Sequence, residues 1–197
     1  VKLNGDLPDI HPVPQSSGQV WNLCRIGDEL FCLHDRGIFL LEGTTMKRVT
    51  DITGAWCCQP VTGREDMMFV GVYSGIYLVV KKDGEWQTVC KIEGITDSCR
   101  LFEQETGRVL WIYNADHVSK VELSEDLSKA INQKSYGIAD GFPTDYNMFV
   151  SKIEGRVYFA TPNGTYKYNP HKDVMEACSD INNLLNGSSA YLRLLEY

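Results

Sequence analysis

The chain has 197 residues, a formal net charge of −7 and 43% hydrophobic residues. This length and apolar content suit one ordinary domain, or one large all-β domain, with a real core. The net negative charge argues against a nucleic-acid-binding surface, because phosphate recognition needs a cationic field. No stretch of about 18 apolar residues is present, so we expect a membrane contact only through a longer parent chain.

Four copies of one pattern follow one another along the chain. Each begins with a polar turn, continues into a short apolar run with one aromatic anchor, and passes through a second turn into another β-branched or aromatic run. In chain order the copies are "GDELFCLHDRGIFLLEG", "EDMMFVGVYSGIYLVVKKDG", "GRVLWIYNADHVSKVELSED" and "GRVYFATPNGTYKYNPHKD". Their anchors, which lie 38, 42 and 48 residues apart, are Phe31, Phe69, Trp111 and Phe159.

A further apolar run precedes each copy and another follows it, so each unit offers four strands. The preceding runs begin at Val20, Ala55, Ser98 and Asn147. Period-two alternation, many Val, Ile, Tyr, Phe and Trp residues, and Gly-Asp, Asp-Gly and Asn-Gly turns favour strands over helices. Only residues 125–135 and 179–186 have a pattern that suits a helical turn or two.

A four-stranded unit that recurs about every 40–45 residues is typical of a β-propeller. One such sheet buries little by itself, but stacking it on neighbouring blades buries the aromatic anchors. An ordinary β-sandwich, the alternative, would not require the anchor and the Gly-Ile-aromatic motif to recur in register. The sequence therefore predicts an all-β fold, namely a β-propeller segment of about four four-stranded blades.

The expected boundaries follow the repeats. They are the end of a preceding blade or a linker at 1–17, blade 1 at 18–54, blade 2 at 55–97, blade 3 at 98–145, blade 4 at 146–189, and the first strand of a next blade at 190–197. The terminal stretches "VKLNGDLPDI" and "SSAYLRLLEY" resemble single strands of further units, and no initiator methionine precedes Val1. We therefore expect a propeller segment truncated at both ends, with a closed four- or five-bladed ring as the alternative.

Seven cysteines are present, so at least one is unpaired within the chain. They are Cys24, Cys32, Cys57, Cys58, Cys90, Cys99 and Cys178. None has zinc-ligand spacing to another cysteine or to a histidine, and we predict no metal site and no cofactor. Most lie inside apolar runs, which favours small buried side chains over a disulfide framework, and the count leaves the redox compartment open.

The repeats as a whole resemble those of a known family. The fourth copy places Gly141-Phe142-Pro143, Gly155, Tyr158-Phe159-Ala160-Thr161, Gly164-Thr165 and Tyr168-Asn169 in the order Gly-Leu-Pro, Gly turn, Leu-Trp-Ile-Gly-Thr, Gly-Leu and Tyr-Asp. That order resembles the regulator-propeller repeat of bacterial hybrid two-component sensor histidine kinases and of triple-tyrosine-domain transcriptional regulators. The resemblance covers about residues 18–195. It is weakest in the third copy, where His117-Val118 replaces Gly-Leu and the following aromatic is missing.

The resemblance implies a non-catalytic sensor segment that relays ligand binding to kinase or DNA-binding domains outside this chain. It implies a periplasmic location for the sensor, or a cytoplasmic one if the parent is a soluble regulator of the LuxR type.

A ligand would meet the end of the blades at which the segments before each first strand approach the turns between second and third strands, since loops on a rigid scaffold carry function. The candidates are Trp21, His34, Arg36, Trp56, Tyr73, Asp97, Arg100, Tyr113 and Tyr146. Aromatic rings stack on the C–H faces of sugars, and arginine pairs with a uronate or sulfate, so we expect an oligosaccharide, especially an acidic one. Two structural alternatives stay open, namely Trp21 and Trp56 as inter-blade core, and Arg100 in an ion pair with Asp97.

No catalytic motif is visible, neither Gly-x-Ser-x-Gly, nor a phosphate-binding loop, nor His-Glu-x-x-His, so we predict that the chain is not an enzyme. Two other functions compete with ligand sensing. One is a propeller for protein–protein interaction or homodimerisation, which unpaired strand edges would favour. The other is a fragment of a polysaccharide-active enzyme, which would need two converging carboxylates.

Overall fold

The computed structural model describes residues 11–184 in full and the backbone of residues 2–4 and 7–9. Sixteen strands of this part form four antiparallel sheets of four strands each. The all-β propeller fold predicted from the repeats is therefore confirmed. Among the described residues, no helix has the length and apolar character needed to cross a bilayer.

Each blade is a meander in which consecutive strands pair. Blade 1 consists of β3 (Val20–Ile26), β4 (Glu29–His34), β5 (Gly37–Glu42) and β6 (Thr45–Thr50), and blade 2 of β7 (Ala55–Val61), β8 (Arg64–Val72), β9 (Gly75–Lys82) and β10 (Glu85–Lys91). Blade 3 consists of β11 (Leu101–Thr106), β12 (Val109–Tyr113), β13 (Val118–Leu123) and β14 (Ala130–Tyr136), and blade 4 of β15 (Phe149–Ile153), β16 (Arg156–Thr161), β17 (Gly164–Asn169) and β18 (Val174–Ala177).

The first strand of each blade lies beside the first strand of the next, because β3 contacts β7, β7 contacts β11 and β11 contacts β15. Short turns allow the strands to pair in sequence. At the turn between β9 and β10, Asp83 and Gly84 both have positive φ, 52° and 85°. Two positive φ values are typical of the tight hairpin turns that match the twist of the strands.

Three apolar clusters fill the spaces between consecutive blades. Phe31, Phe69, Trp111 and Phe159, the anchors predicted from the repeat, are all completely buried in these clusters. Complete burial of such side chains contributes about 1.5–3 kcal/mol each. The repeat therefore encodes the contacts that stack blade on blade.

The predicted helical segments have different outcomes. Residues 179–186 contain the helix α1 (Ser179–Leu184), whereas residues 125–135 form a turn that leads into β14. The turn is stabilised by Asp126, whose Oδ1 accepts hydrogen bonds from the N–H and the hydroxyl of Ser128. The N-terminal stretch forms a hairpin of β1 (Lys2–Asn4) and β2 (Leu7–Asp9), and the stretch 188–197 lies outside the described residues.

The cysteines are used in two ways. Cys24 of β3 and Cys58 of β7 form a disulfide between blades 1 and 2, with 6.7 Å between their Cα atoms. Cys32, Cys57, Cys99 and Cys178 are buried thiols, which confirms the prediction of small buried side chains for these four. Cys90 is a half-buried thiol.

Candidate ligand-binding surface

Backbone hydrogen bonds bring the segments before the first strands against the turns between second and third strands. The N–H of Asp35, in the turn between β4 and β5, donates to the carbonyl of Gln19 at 3.0 Å. In blade 3 the N–H of Arg100 donates to the carbonyl of Tyr113 at 3.0 Å. These two sets of loops therefore share one end of the blades.

Three aromatic side chains meet at this end of blades 1 and 2, and we call them the aromatic cluster. The ring centroids of Trp56 and Tyr73 are 4.3 Å apart, and those of Trp21 lie 5.9 Å from Trp56 and 6.0 Å from Tyr73, all in edge-to-face arrangements. Trp21 is 38% exposed and Tyr73 is 50% exposed. The cluster therefore presents aromatic surface to solvent.

Polar and steric contacts hold the cluster in place. The indole N–H of Trp21 donates to Oδ1 of Asp35 at 2.7 Å. Gly54, at φ 66°, lies directly under Tyr73, and a Cβ at that position would come within 2.4 Å of the ring. The positive φ favours glycine, and the close approach of the Tyr73 ring leaves no room for a side chain.

Two further features of the cluster involve Trp56. The guanidinium carbon of Arg100 lies 5.5 Å from the centre of the Trp56 ring, within the range of a cation–π contact. The indole N–H of Trp56 is buried and has no hydrogen-bond partner within residues 11–184. An unpaired buried donor is costly, and it remains available to an acceptor that reaches it.

A groove of about 390 Å³ opens next to Tyr73. Its lining combines both blades: Asp35, Asp51, Ile52, Thr53, Gly54, Val72, Tyr73, Ser74 and Tyr77. Oxygen atoms dominate its polar groups, and the Oδ1 of Asp51 also pairs with Arg48 at 3.1 Å. The groove therefore joins an aromatic wall to carboxylate and hydroxyl oxygens.

His34 and Arg36 belong to the support beneath this end of blade 1. His34 is completely buried, its Nδ1 accepts the backbone N–H of Arg36 at 3.0 Å, and its ring packs on Phe39. Arg36 is exposed, but its Nη2 donates to the carbonyls of Gln15 and Ser17. The contacts of both candidates are thus directed at the protein itself.

The candidates of blades 3 and 4 lie outside the aromatic cluster. Asp97 faces His117, with 3.9 Å between Oδ2 and Nε2, and within the described residues no ion pair joins it to Arg100. Tyr113 is buried, and its hydroxyl donates to the carbonyl of Ala115 at 3.1 Å. Tyr146 is 59% exposed and forms no ring contact in the described part of the chain.

The rings of Trp21 and Trp56 meet across blades 1 and 2, but neither is fully buried, and among the described residues no ion pair joins Arg100 to Asp97. The inter-blade tryptophan between blades 1 and 2 is Trp86, which is buried 5.3 Å from the ring of Phe31 and donates to Glu29 at 3.0 Å. Trp21 is exposed and Trp56 only half-buried, and neither belongs to a buried cluster. Arg100 contacts a ring instead of a carboxylate.

Sequence reasoning did not select Asp35 and Asp51 as candidates, although both line the groove. Asp35 is the first residue of the two-residue turn after β4, a position that Tyr73 occupies after β8. Because this turn recurs in the next blade, the repeat was the signal that could have identified Asp35. Asp51 lies between β6 and β7, where the sequence shows no periodicity that would predict its direction.

These features define the chain as a β-propeller segment with an exposed aromatic cluster at one end of its first two blades. No protein-family model and no curated protein sequence matches it. Solved structures of the same fold include two of the extracellular domain of BT4673 from B. thetaiotaomicron, a protein described as a one-component system in one and as a hybrid two-component system in the other. A third is the extracellular domain of BT3049, described as a hybrid two-component system of the same organism.

The likeness extends over most of this chain. The TM-scores are 0.66 and 0.65 for BT4673 and 0.60 for BT3049, with sequence identities of 15%, 14% and 16%. The alignments cover 86%, 86% and 88% of this chain but only 23%, 22% and 24% of those chains. This chain thus spans about a quarter of their length, and the likeness shows a shared fold.

Proposed function

We propose that this chain is the ligand-sensing propeller segment of a bacterial signal-transduction sensor and that it binds an oligosaccharide. The observation that carries the proposal is the aromatic cluster, which stands exposed beside an oxygen-lined groove. The segment would be non-catalytic, and domains outside this chain, a histidine kinase or a DNA-binding domain, would read the binding event.

The chemistry of the surface suits a sugar. Exposed Trp21 and Tyr73 offer rings for the apolar C–H faces of a pyranose, and the groove offers acceptors for its hydroxyl groups. Binding sites of this kind combine an apolar wall with a few placed polar groups. Because Asp35 and Asp51 line the groove, a neutral sugar unit fits there, and an acidic unit fits only next to Arg100.

The position of the surface suits signalling. Asp35 belongs to blade 1, Tyr73 belongs to blade 2, and both line the groove. A ligand in the groove would therefore contact two blades. It shifts the geometry between them only if it binds one arrangement more tightly than the other.

A periplasmic location fits this function. The disulfide between Cys24 and Cys58 belongs to an oxidising compartment, since cytosolic thiols are kept reduced. The solved neighbours are described as extracellular domains. Both observations favour the sensor of a membrane-bound parent over a soluble cytoplasmic regulator.

Calorimetric titration against a panel of plant and host oligosaccharides tests the proposal. We expect Tyr73→Ala to weaken binding by about 30-fold, since truncation of a central aromatic contact costs about 2 kcal/mol or more. Tyr146→Ala is the matched control, because this tyrosine is exposed to 59%, against 50% for Tyr73, but lies outside the cluster. Absence of heat with every sugar would overturn the choice of ligand, and equal losses in both variants would overturn the choice of surface.

A second candidate function is protein–protein interaction or homodimerisation, and one observation favours it. Val20 and Leu23 of β3 are 41% and 54% exposed, so this strand presents apolar surface beside Trp21. A molecular mass that rises with concentration and falls back with Leu23→Lys, without any sugar binding, would support this candidate. The enzyme alternative has weaker support, since Asp35 is engaged by Trp21 and Asp51 by Arg48.

A further inference from the structure

Two adjacent cysteines of β7 point to opposite neighbours. Successive side chains of a strand alternate between its two faces, so Cys57 and Cys58 point in opposite directions. Cys58 meets Cys24 of blade 1 in the disulfide. Cys57 points the other way and meets Cys99, just before the first strand of blade 3.

The two thiols face each other over Gly71 of β8. A Cβ on Gly71 would lie 2.6 Å from Sγ of Cys57 and 2.7 Å from Sγ of Cys99, so both sulfurs occupy the space that the glycine leaves free. The thiol of Cys57 donates to the carbonyl of Cys99 at 3.7 Å. The backbone is held as well, because the N–H of Cys99 donates to the carbonyl of Val72 at 2.8 Å.

We propose that Cys57 and Cys99 form a second redox site, whose oxidised form is a disulfide between blades 2 and 3. The bond between Cys24 of β3 and Cys58 of β7 shows that a disulfide can join neighbouring blades here, and Cys99 lies two residues before β11, the first strand of blade 3. With both disulfides formed, β7 is covalently joined to the blade on each side.

The oxidant is a disulfide, either of a thiol–disulfide oxidoreductase or of a small molecule. The thiolate of Cys57 attacks one of its sulfurs, forming a mixed disulfide and releasing one thiolate. The thiolate of Cys99 then attacks Sγ of Cys57 and releases the second. The two cysteines lose two protons and two electrons in total, and the oxidant becomes two thiols.

Burial determines when this exchange takes place. Cys99 is completely buried and Cys57 is 6% exposed. Burial, together with a hydrogen bond to Cys57, raises the pKa of the Cys99 thiol well above its usual range, so the folded protein reacts slowly. The bond therefore forms while blades 2 and 3 dock during folding.

The redox site adjoins the aromatic cluster. Trp56 precedes Cys57, Arg100 follows Cys99, and the Arg100 guanidinium lies 5.5 Å from the centre of the Trp56 ring. A bond between the two cysteines fixes the strands that carry this contact. The redox state of the pair thus sets how rigidly the cation–π contact is held.

Counting thiols by mass spectrometry tests the proposal. Protein secreted into an oxidising compartment is denatured, alkylated without reductant and weighed intact. With both disulfides formed we expect three alkylated thiols, those of Cys32, Cys90 and Cys178. Five alkylated thiols, the number left by the Cys24–Cys58 bond alone, would overturn the proposal.

Variants identify the bonded pair. Cys99→Ala should raise the count from three to four by releasing Cys57, whereas the matched control Cys178→Ala, also a buried thiol, should lower it to two. Cys24→Ala/Cys58→Ala isolates the second bond, and its digest should contain a Cys57–Cys99 peptide pair. A digest that joins Cys57 to any other cysteine would contradict the assignment. The thiol count does not depend on any ligand, so it stands or fails separately from the proposed function.

Discussion

Aromatic residues meet at two places in this molecule. The two places differ in how far the polar atoms of these residues are hydrogen-bonded within the protein. Between blades 3 and 4, the ring of Trp111 lies 5.1 Å from those of Phe159 and Tyr168, and Tyr136 completes the group. We call these four, of which Tyr168 is half-buried and the others are buried, the aromatic network. The indole of Trp111 donates to Glu105 at 3.1 Å, and the hydroxyls of Tyr136 and Tyr168 donate to Oδ1 of one carboxylate, that of Asp173.

In the aromatic cluster of blades 1 and 2, the polar atoms are not all hydrogen-bonded in this way. The buried indole N–H of Trp56 has no hydrogen-bond partner among the described residues, and the rings of Trp21 and Tyr73 remain partly open to solvent. Buried polar groups in folded proteins are normally satisfied, so an unsatisfied donor beside exposed rings needs an explanation. We infer that the network stabilises the fold and that the cluster binds a ligand.

The largest expected effect is on stability and comes from the network. Trp111→Ala should lower the free energy of unfolding by about 3–5 kcal/mol, because it removes a completely buried tryptophan. Trp21→Ala, which removes an exposed one, should lower it by less than about 1 kcal/mol. Denaturant titration of both variants measures the difference, and equal losses would remove the contrast.

A second effect concerns the disulfide. It joins blades 1 and 2 by a covalent bond, whereas the network joins blades 3 and 4 by hydrogen bonds. Cys24 and Cys58 are 34 residues apart. Closing a loop of this size contributes about 4 kcal/mol. Cys24→Ala/Cys58→Ala should lose that amount in denaturant titration, whereas Cys32→Ala, a buried thiol without a bond, should lose less.

A third effect is the pH dependence contributed by Asp173. Hydrogen bonds from Lys134, Tyr136 and Tyr168 hold the pKa of this carboxyl well below its ordinary value of 3.8. Because the pKa is lowered in the folded state, the stabilisation is present above pH 3.8 and is lost as the pH falls through the folded-state pKa. Half-exposure of the Asp173 side chain reduces the effect through solvent screening.

Asp173→Asn tests this dependence and preserves the backbone, since asparagine also tolerates the positive φ of 56° at this position. The variant should unfold at a lower temperature than the parent protein near neutral pH, and the gap should narrow as the pH drops below 3.8. A gap that is constant with pH would show that the carboxylate charge is not responsible. Asp116→Asn, an exposed carboxylate in another turn, serves as the control.

The smallest effects compare two cations that lie over rings. Lys120 lies 4.2 Å from the ring centre of Tyr168 in the network, and Arg100 lies 5.5 Å from that of Trp56 in the cluster. Lys120→Ala should lower the free energy of unfolding by about 1 kcal/mol and leave ligand affinity unchanged. Arg100→Ala should do the reverse, with a few-fold loss of affinity in calorimetry. An affinity loss in Lys120→Ala would contradict the division between the two places.

Much of the fold could be predicted from the sequence because its determinants are local. Alternating apolar residues, turn residues and one aromatic anchor per unit recur along the chain, and Phe31, Phe69, Trp111 and Phe159 are all buried as the repeat predicted. In the third copy Ser119 stands where the aromatic is usual, and the next residue, Lys120 of β13, lies 5.2 Å from the ring centre of Trp111. In a pleated strand, successive side chains point to opposite faces. The alternation of apolar residues in the repeat therefore indicates which positions face the core.

The candidate surface depended on contacts between blades, which the sequence does not record. His34, Tyr113, Trp21 and Tyr73 looked alike as candidates, but the first two are buried and the last two are exposed. The pairing of Cys24 with Cys58 and of Tyr136 with Asp173 joins residues more than 30 positions apart. The sequence by itself determined the strands, the turns and the anchors, because these follow from neighbours along the chain. Only the tertiary structure decided which rings face solvent, because exposure depends on how each blade docks against the next.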